Sequence, residues 1–350
     1  ALFANSGSEA TDLSLKLVWY YHNAIGKPEK KKVISRVKGY HGVTVASASL
    51  TGLPHLHREF DLPIDRIKHT SCPHHYRFGE DGENEEEFAS RCAMDLEDLI
   101  EREGADTIAA FYAEPVMGAG GVLVPPKTYF KKIQKVLKKN NILLVADEVI
   151  CGFGRTGNMW GSTTFEMKPD MITMAKALSS AYLPISALLI NEEIYQAMVG
   201  QSEKLGLFGH GGTYAGHPVS AAVALETLNI YEERDIVDHV QKMAPLLQAG
   251  LHYFSDHPLV GEVRGVGLIA GVELIKDKKT KEPFDPKIAV GAQCQSFTLE
   301  NGLIIRAVGD TIAFCPPLII NEVEIAELVA SFSKGLDQTW TWVKEEGFHT

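Results

Sequence analysis

Short apolar runs bounded by charge, glycine or proline alternate along this chain with longer stretches whose apolar residues recur every three to four positions. The first kind reads as buried strands of a mostly parallel sheet, the second as helices that cover it. Residues 1–4 look like the end of a buried strand, and Leu13, Leu17, Tyr20 and Tyr21 mark a helix out to about Asn23. Further strands are predicted at 32–36, 107–112, 142–146, 171–175 and 185–190. Residues 85–103 read as an acidic amphipathic helix, and 125–139 as one with Pro126 in its first turn and lysines at its end. Helices are also expected at 219–231, 235–254, 289–300 and 322–343, with strands at 259–264, 268–275, 303–306 and 311–315. The pattern is α/β: a large domain over 1–234 with a mostly parallel central sheet, and a smaller C-terminal α+β domain over 235–350.

Two of these runs end on ionisable residues. Asp147 follows the first and Lys176 the second. Ligands of open α/β sheets bind outside the carboxyl ends of the strands, so a carboxylate and an amine would both project there. One cofactor asks for that pair. Pyridoxal phosphate (PLP) needs a lysine for its Schiff base and an acidic partner for its pyridinium nitrogen. An N-cap or a buried ion pair would also account for Asp147, and a side chain snorkelling out of the core for Lys176.

Other strand ends carry chemistry of the same kind. Gly7 and Ser8 sit at a helix N-terminus, with Ser6 or Ser8 as cap; such an end is a phosphate cradle or simply a capped helix. Gly39-Tyr40-His41-Gly42 is a tight loop that presents an aromatic ring, either to a flat ligand or to the core. Glu114 closes another strand. Thr213 lies in a Gly-rich loop, residues 208–218, that enters a helix. Arg306 ends the apolar run Leu303-Ile304-Ile305, where it could clamp a carboxylate or remain a surface charge.

Composition narrows the field. The 350 residues are 45% hydrophobic and 23% charged, an ordinary globular balance, and the net charge of −11 is the opposite of a nucleic-acid footprint. No apolar run reaches membrane-spanning length, and the first ten residues do not read as a signal peptide. Five scattered cysteines without a C-x-x-C argue against a disulfide framework or zinc site and for a reducing cytoplasm. The His-rich region 52–87 lacks the separated ligand pairs of a zinc site and reads as a long surface or pocket-lining loop, with a metal site the lesser reading. Gly265-x-Gly267-x-x-Ala270 matches a dinucleotide fingerprint on paper, but strand rather than helix follows it, so the fingerprint is rejected; a rival nicotinamide oxidoreductase would require a helix after Gly267.

Taken in order, these segments resemble the class III (omega) aminotransferases of PLP fold type I. The carriers are Asn5-Ser6-Gly7-Ser8-Glu9-Ala10, Gly39-Tyr40-His41-Gly42, Glu114-Pro115-Val116, Ala146-Asp147-Glu148-Val149, Gly152-Phe153-Gly154-Arg155-Thr156-Gly157, Lys168-Pro169-Asp170 through Lys176, and Thr213-Tyr214-Ala215-Gly216-His217-Pro218. The pyruvate-dependent omega-transaminases are most similar, through Cys72-Pro73-His74-His75-Tyr76 and Val308-Gly309-Asp310. The resemblance implies that Lys176 carries the cofactor and shuttles the proton, while Asp147 holds the pyridine nitrogen protonated. Val149 and Tyr40 would pack on the two ring faces, with His41 and Glu114 in the cofactor site. Gly7 and Ser8 would bind phosphate, joined by Thr213 of a partner subunit. Arg306 would take the keto-acid carboxylate, and Tyr40 would also face substrate. It implies a homodimer with a shared active site, or a tetramer built on it, acting on an amine donor and a keto-acid acceptor, with neither nucleic acid nor membrane as partner. The family carries a sizeable segment ahead of residue 1, and Gly212 stands where relatives carry a bulkier residue. The same fold also hosts aminomutases, decarboxylating aminotransferases and non-catalytic PLP binders.

Overall fold

The computed structural model describes residues 1–349. The chain divides into two compact units. Residues 1–115, 125–153 and 160–234 form the first; residues 116–124, 154–159 and those from 235 onward form the second.

The first unit is built on a seven-stranded sheet in the order β1-β7-β6-β5-β4-β2-β3. Its strands are β1 (Leu2–Ala4), β2 (Lys32–Arg36), β3 (Ile67–Thr70), β4 (Ile108–Ala113), β5 (Leu143–Asp147), β6 (Met171–Met174) and β7 (Ser186–Ile190). Pairing is parallel from β3 through β6, and β7 runs antiparallel to both β6 and β1. Hence β1 points the same way as β2 to β6. The carboxyl ends of those strands and the amino end of β7 share one edge of the sheet.

Helices α1 (Gly7–Ala24), α2 (Val45–Leu50), α3 (His75–Phe78), α4 (Glu85–Glu103), α5 (Tyr129–Lys139), α6 (Gly161–Thr164), α7 (Glu192–Leu205) and α8 (Pro218–Glu233) complete this unit. Successive residues of a strand serve opposite faces. Leu144 and Ala146 of β5 join Phe88, Leu96, Ile133 and Leu137 of α4 and α5 in one core. Val145 joins Leu13, Leu17, Ile194 and Met198 of α1 and α7 in the other. A sheet covered on both faces explains why its strands read as continuous apolar runs. Asp147 shares the parity of Val145, which puts it on the α1 side.

Several local expectations shift. Residues 67–70 of the supposed irregular region pair with β2. Helix α7 has no counterpart in the sequence reading; Asn191 caps it by accepting the Ile194 N–H. Helix α5 begins at Tyr129, not around Pro126. Two prolines in succession hold residue 125 extended, so the helix waits until the turn after them. Strand β1 is a sheet edge with Phe3 exposed, not a buried strand.

The second unit holds an antiparallel sheet, β10-β11-β9-β8, formed by β8 (Val260–Val266), β9 (Ile269–Leu274), β10 (Arg306–Val308) and β11 (Thr311–Phe314). With it go α9 (Ile236–His252), α10 (Val290–Glu300) and α11 (Glu322–Glu345). Strands β8 and β9 turn back on each other at Gly267, whose φ of 61° favours glycine, so the dinucleotide-like glycines belong to a hairpin. Buried Arg264 ties the excursion 116–124 into this unit. Its guanidinium donates to the carbonyls of Gly121 and Val122 and pairs with Glu273 at 2.6 Å. Arg306 opens β10 rather than ending an apolar strand. Pairing with β11 starts only at Arg306, opposite Ala313, and leaves 303–305 outside the sheet.

Candidate active site

The shared strand edge encloses a cavity of about 400 Å³. It is lined by the segments that follow β1 (Asn5 to Ser8), β2 (Tyr40 to Gly42), β4 (Glu114), β5 (Asp147, Val149, Ile150) and β6 (Ala175, Lys176, Ser179, Ala181), and by those leading into β7. Five strand ends separated by up to 170 positions thus meet because their strands run in one direction.

Asp147 closes β5 opposite Thr173 of β6, so Lys176 lies just three residues past that register. The Asp147 carboxylate is buried and doubly held. Its Oδ1 accepts the Val149 N–H at 3.1 Å, and its Oδ2 lies 2.8 Å from His41 Nδ1. A carboxylate offers about four lone-pair sites, so acceptor capacity is left over at the cavity wall. Lys176 is exposed to the cavity and opens a one-turn 3₁₀ helix with φ of 40°. Ser180 and Ala181 also have left-handed backbones, at 47° and 61°. Three such non-glycine residues in six positions mark a strained segment, of the kind that clusters at functional sites.

The start of α1 forms the opposite wall. Ser6 is the cap: its Oγ accepts the Glu9 N–H at 3.2 Å, and Glu9 Oε2 accepts the Asn5 N–H at 2.7 Å. Ala10 N–H bonds the Ser6 carbonyl. The amides left at the helix mouth are those of Gly7 and Ser8, and the helix dipole favours an anion there. A Cβ on Gly7 would lie 3.1 Å from Val149 Cγ2, so glycine is what lets the valine reach this wall. The next loop is pressed as closely. Gly42 has φ of 135°, and a Cβ there would stand 2.5 Å from Ser8 Oγ. Ser8 Oγ in turn accepts the Val43 N–H at 3.1 Å.

Glu114 anchors the aromatic loop from below. Its Oε1 accepts the Tyr40 N–H at 2.9 Å, and the buried Arg36 donates to its carbonyl at 2.6 Å. Burial pushes the Glu114 carboxyl up, opposed by the nearby His41 ring. Glu148 has a different task from its neighbour. Both its oxygens accept N–H groups at the start of α6, Gly161 at 2.9 Å and Ser162 at 2.6 Å, and burial raises its pKa. Of two adjacent carboxylates, one faces the cavity and one caps a helix.

The structure therefore gathers Gly7, Ser8, Tyr40, His41, Glu114, Asp147, Val149 and Lys176 around one cavity. Thr213 is exposed in the loop between α7 and α8 and is not part of that lining. Arg306 belongs to the second unit, where it is exposed. Missed in the sequence were Ile150, Ser179 and the stretch Leu183-Pro184-Ile185. The last enters the lining because β7 is antiparallel, which no local pattern signals. In the His-rich region, His57, His69 and His75 each spend Nε2 on a backbone carbonyl, of Ala48, Leu50 and Glu83.

An amine, a buried carboxylate and a helix N-terminus around one slot fit a planar pyridine bearing an aldehyde and a phosphate. The fold is that of PLP enzymes of fold type I. A model of the class-III aminotransferases matches residues 1–336, and the chain belongs to that family, whose cofactor is PLP. A tomato (Solanum lycopersicum) protein named gamma aminobutyrate transaminase 3, chloroplastic, is 54% identical over 345 residues, which is 99% of this chain and 66% of the relative. The chain thus spans just under two thirds of that relative's length. A solved structure titled transaminase with L-Ala is 60% identical with a TM-score of 0.96, covering 98% of this chain and 81% of its own. The omega transaminase from Pseudomonas jessenii in complex with PMP is 56% identical, also at 0.96, covering 98% and 76%. Among the described residues no helix is long and apolar enough to cross a membrane.

Proposed function

We propose that this protein catalyses PLP-dependent transamination, moving the amino group of a primary amine or omega-amino acid to a keto acid, pyruvate in the first instance, by a ping-pong route. The observation that carries this is the placing of Asp147, at the end of β5, and Lys176, just beyond the end of the adjacent parallel strand β6, across one cavity from the N-terminus of α1. When bound, the cofactor supplies an electron sink that acidifies the substrate C–H. Lys176 would hold it covalently, then act as the general base that carries the proton from the substrate carbon. Asp147 would accept the ring N–H. The amides of Gly7 and Ser8 would bind the phosphate, with Val149 and Tyr40 against the ring faces.

The relatives support the substrate class. The tomato protein is named for gamma-aminobutyrate, an omega-amino acid. The structure with L-alanine supports pyruvate, since alanine is its amination product. We assign Arg306 to the keto-acid carboxylate and Thr213 to the phosphate of a partner subunit in a homodimer. Exposed Tyr214, Val219 and Leu225, at and beside the Thr213 loop, support a second copy there. The first unit then serves as cofactor domain. Scattered cysteines support the cytoplasm; the tomato and rice relatives carry chloroplastic or mitochondrial names.

The test is the absorption spectrum of the PLP-loaded protein. Adding gamma-aminobutyrate without keto acid should collapse the yellow band, and pyruvate should restore it. A band that neither amine nor amino acid converts overturns the assignment. Lys176→Ala should lose turnover by several orders of magnitude; near-normal rates would exclude its role.

A further inference from the structure

We propose that Arg36 is the positioning residue of the loop that carries Tyr40: from a buried seat against two aromatic rings its charge holds Glu114, and Glu114 holds the Tyr40 backbone. The inference rests on the reading of the cavity as a PLP site with Tyr40 against one ring face. Arg36 closes β2 and is 0% exposed, the largest of the fully buried side chains among the described residues. Its guanidinium lies over the Tyr129 and Phe130 rings of α5, 5.9 and 5.7 Å from their centroids. Nη2 donates to the Glu114 carbonyl at 2.6 Å, whereas Nε and Nη1 are buried without a partner. Among the described residues no carboxylate forms an ion pair with it. A cation taken out of water without a counter-ion is costly, and a neutral donor would serve one carbonyl as well. What the charge adds is attraction for a carboxylate, and Glu114 feels it. Burial pushes the Glu114 carboxyl up and the Asp147 charge adds to the rise, while His41, the Tyr40 N–H and Arg36 oppose it.

Hydrogen bonds close a ring through this loop. The Arg36 carbonyl accepts the Gly39 N–H at 3.0 Å, and Glu114 Oε1 accepts the Tyr40 N–H at 2.9 Å. The backbone of Arg36 therefore fixes the start of the loop, and its side chain fixes the residue that anchors the loop's centre. Gly52 braces the other side. Its N–H donates to the Gly39 carbonyl and its carbonyl accepts the Lys38 N–H, each at 2.8 Å, and a Cβ on it would collide with the Arg36 carbonyl. Glu114 lies one residue past the last β4–β5 pair, Ala113 with Ala146, so the sheet ladder does not fix its side chain. An ionised Glu114 is the stronger acceptor for the Tyr40 N–H, and a cation behind it keeps it so.

The opposing view is that Arg36 only fills the core between β2 and α5. Methionine fills a similar space without charge or donor, and lysine keeps both the charge and a donor. PLP affinity is measured by absorbance for Arg36→Met and Arg36→Lys, each with Tyr40 present and in a Tyr40→Ala background. Expected is a loss of about tenfold for Met, the scale of a lost hydrogen bond to a charged group, with most of it recovered in Lys. In the Tyr40→Ala background the Met substitution should change affinity by less than about twofold, because the ring that Arg36 positions is gone. Equal losses in the two backgrounds, or no loss in a folded Met variant, would overturn the proposal. If the Met variant does not fold, Arg36→Gln, which keeps a donor without the charge, is compared with Arg36→Lys in the same two backgrounds and read in the same way. Amide exchange in the apoproteins gives an independent reading. The Tyr40 N–H should exchange about tenfold faster in the uncharged variant than in the wild type, while the amides of β4 keep their protection. Unchanged exchange at Tyr40 overturns the proposal whether or not PLP binds. Failure of the wild type to bind PLP would instead strike the functional reading.

Discussion

Asp147 and Glu148 carry the same chemistry one position apart, and their fates differ entirely. Alternation along β5 turns Asp147 toward the cavity, whereas Glu148 is spent on the amides of Gly161 and Ser162. The sequence supports the first choice, because five apolar residues precede Asp147, but it holds no sign of the α6 cap. His22 shows a residue-scale cost that sequence hides as well. It is buried in α1, with Nε2 on the Ala109 carbonyl at 3.1 Å and Nδ1 unpartnered. Burial pushes its pKa down to about 4 from 6.5. The unfolded chain binds this proton near pH 6.5 and the folded chain only near 4, so stability is complete above 6.5 and falls as pH drops toward 4. We expect His22→Gln to lose about 1 kcal/mol less than the wild type between pH 7 and pH 5. Urea unfolding at the two pH values checks this; parallel losses would show that His22 is not the group concerned.

Among elements, those with complete local signals fall where the sequence puts them. Helix α4 spans Glu85–Glu103 as read, because Asn84 and Glu87 form a capping box before a periodic apolar face. Helix α7 was missed because its only strong mark is Asn191, and half its length is exposed. Strand β3 was missed because four residues between prolines and histidines carry no period; β2 alone gives them a partner. Caps offer a direct test. Asn321 accepts the Glu324 N–H at 3.0 Å, and Glu324 returns a bond to the Asn321 N–H at 2.9 Å, opening the 24-residue α11. Asn321→Ala should cost about 1 kcal/mol in the second unit, with PLP affinity of the folded protein unchanged. Thermal unfolding followed by circular dichroism measures it, and an unaltered midpoint would mean the cap is replaced by water.

For the whole molecule, strand direction matters more than any single side chain. Residues from 5 to 185 line one cavity because five strands end at the same edge and β7 begins there. The proposed homodimer belongs to this scale. Val219 and Leu225 of α8 are exposed at 56% and 62%, an unusual waste of apolar surface on a helix otherwise rich in alanine and leucine. A Val219→Glu, Leu225→Glu double variant should shift the protein from dimer to monomer and weaken PLP, through loss of the partner's Thr213. Sedimentation velocity reads the first effect and cofactor titration the second. A wild type that sediments as a monomer at micromolar concentration would remove the shared site.

Strands β2, β4, β5 and β6, most of the helices, and the Lys176–Asp147 pair followed from the sequence, because burial on two faces writes an apolar run and an ionisable residue closing such a run is costly unless it has a task. The antiparallel course of β7, the strained backbone after Lys176, the bond from His41 to Asp147 and the cap made by Glu148 came only from the tertiary structure. Each depends on which distant backbone or side chain arrives within about 3 Å, and hydrogen bonds of that range leave no period in the sequence.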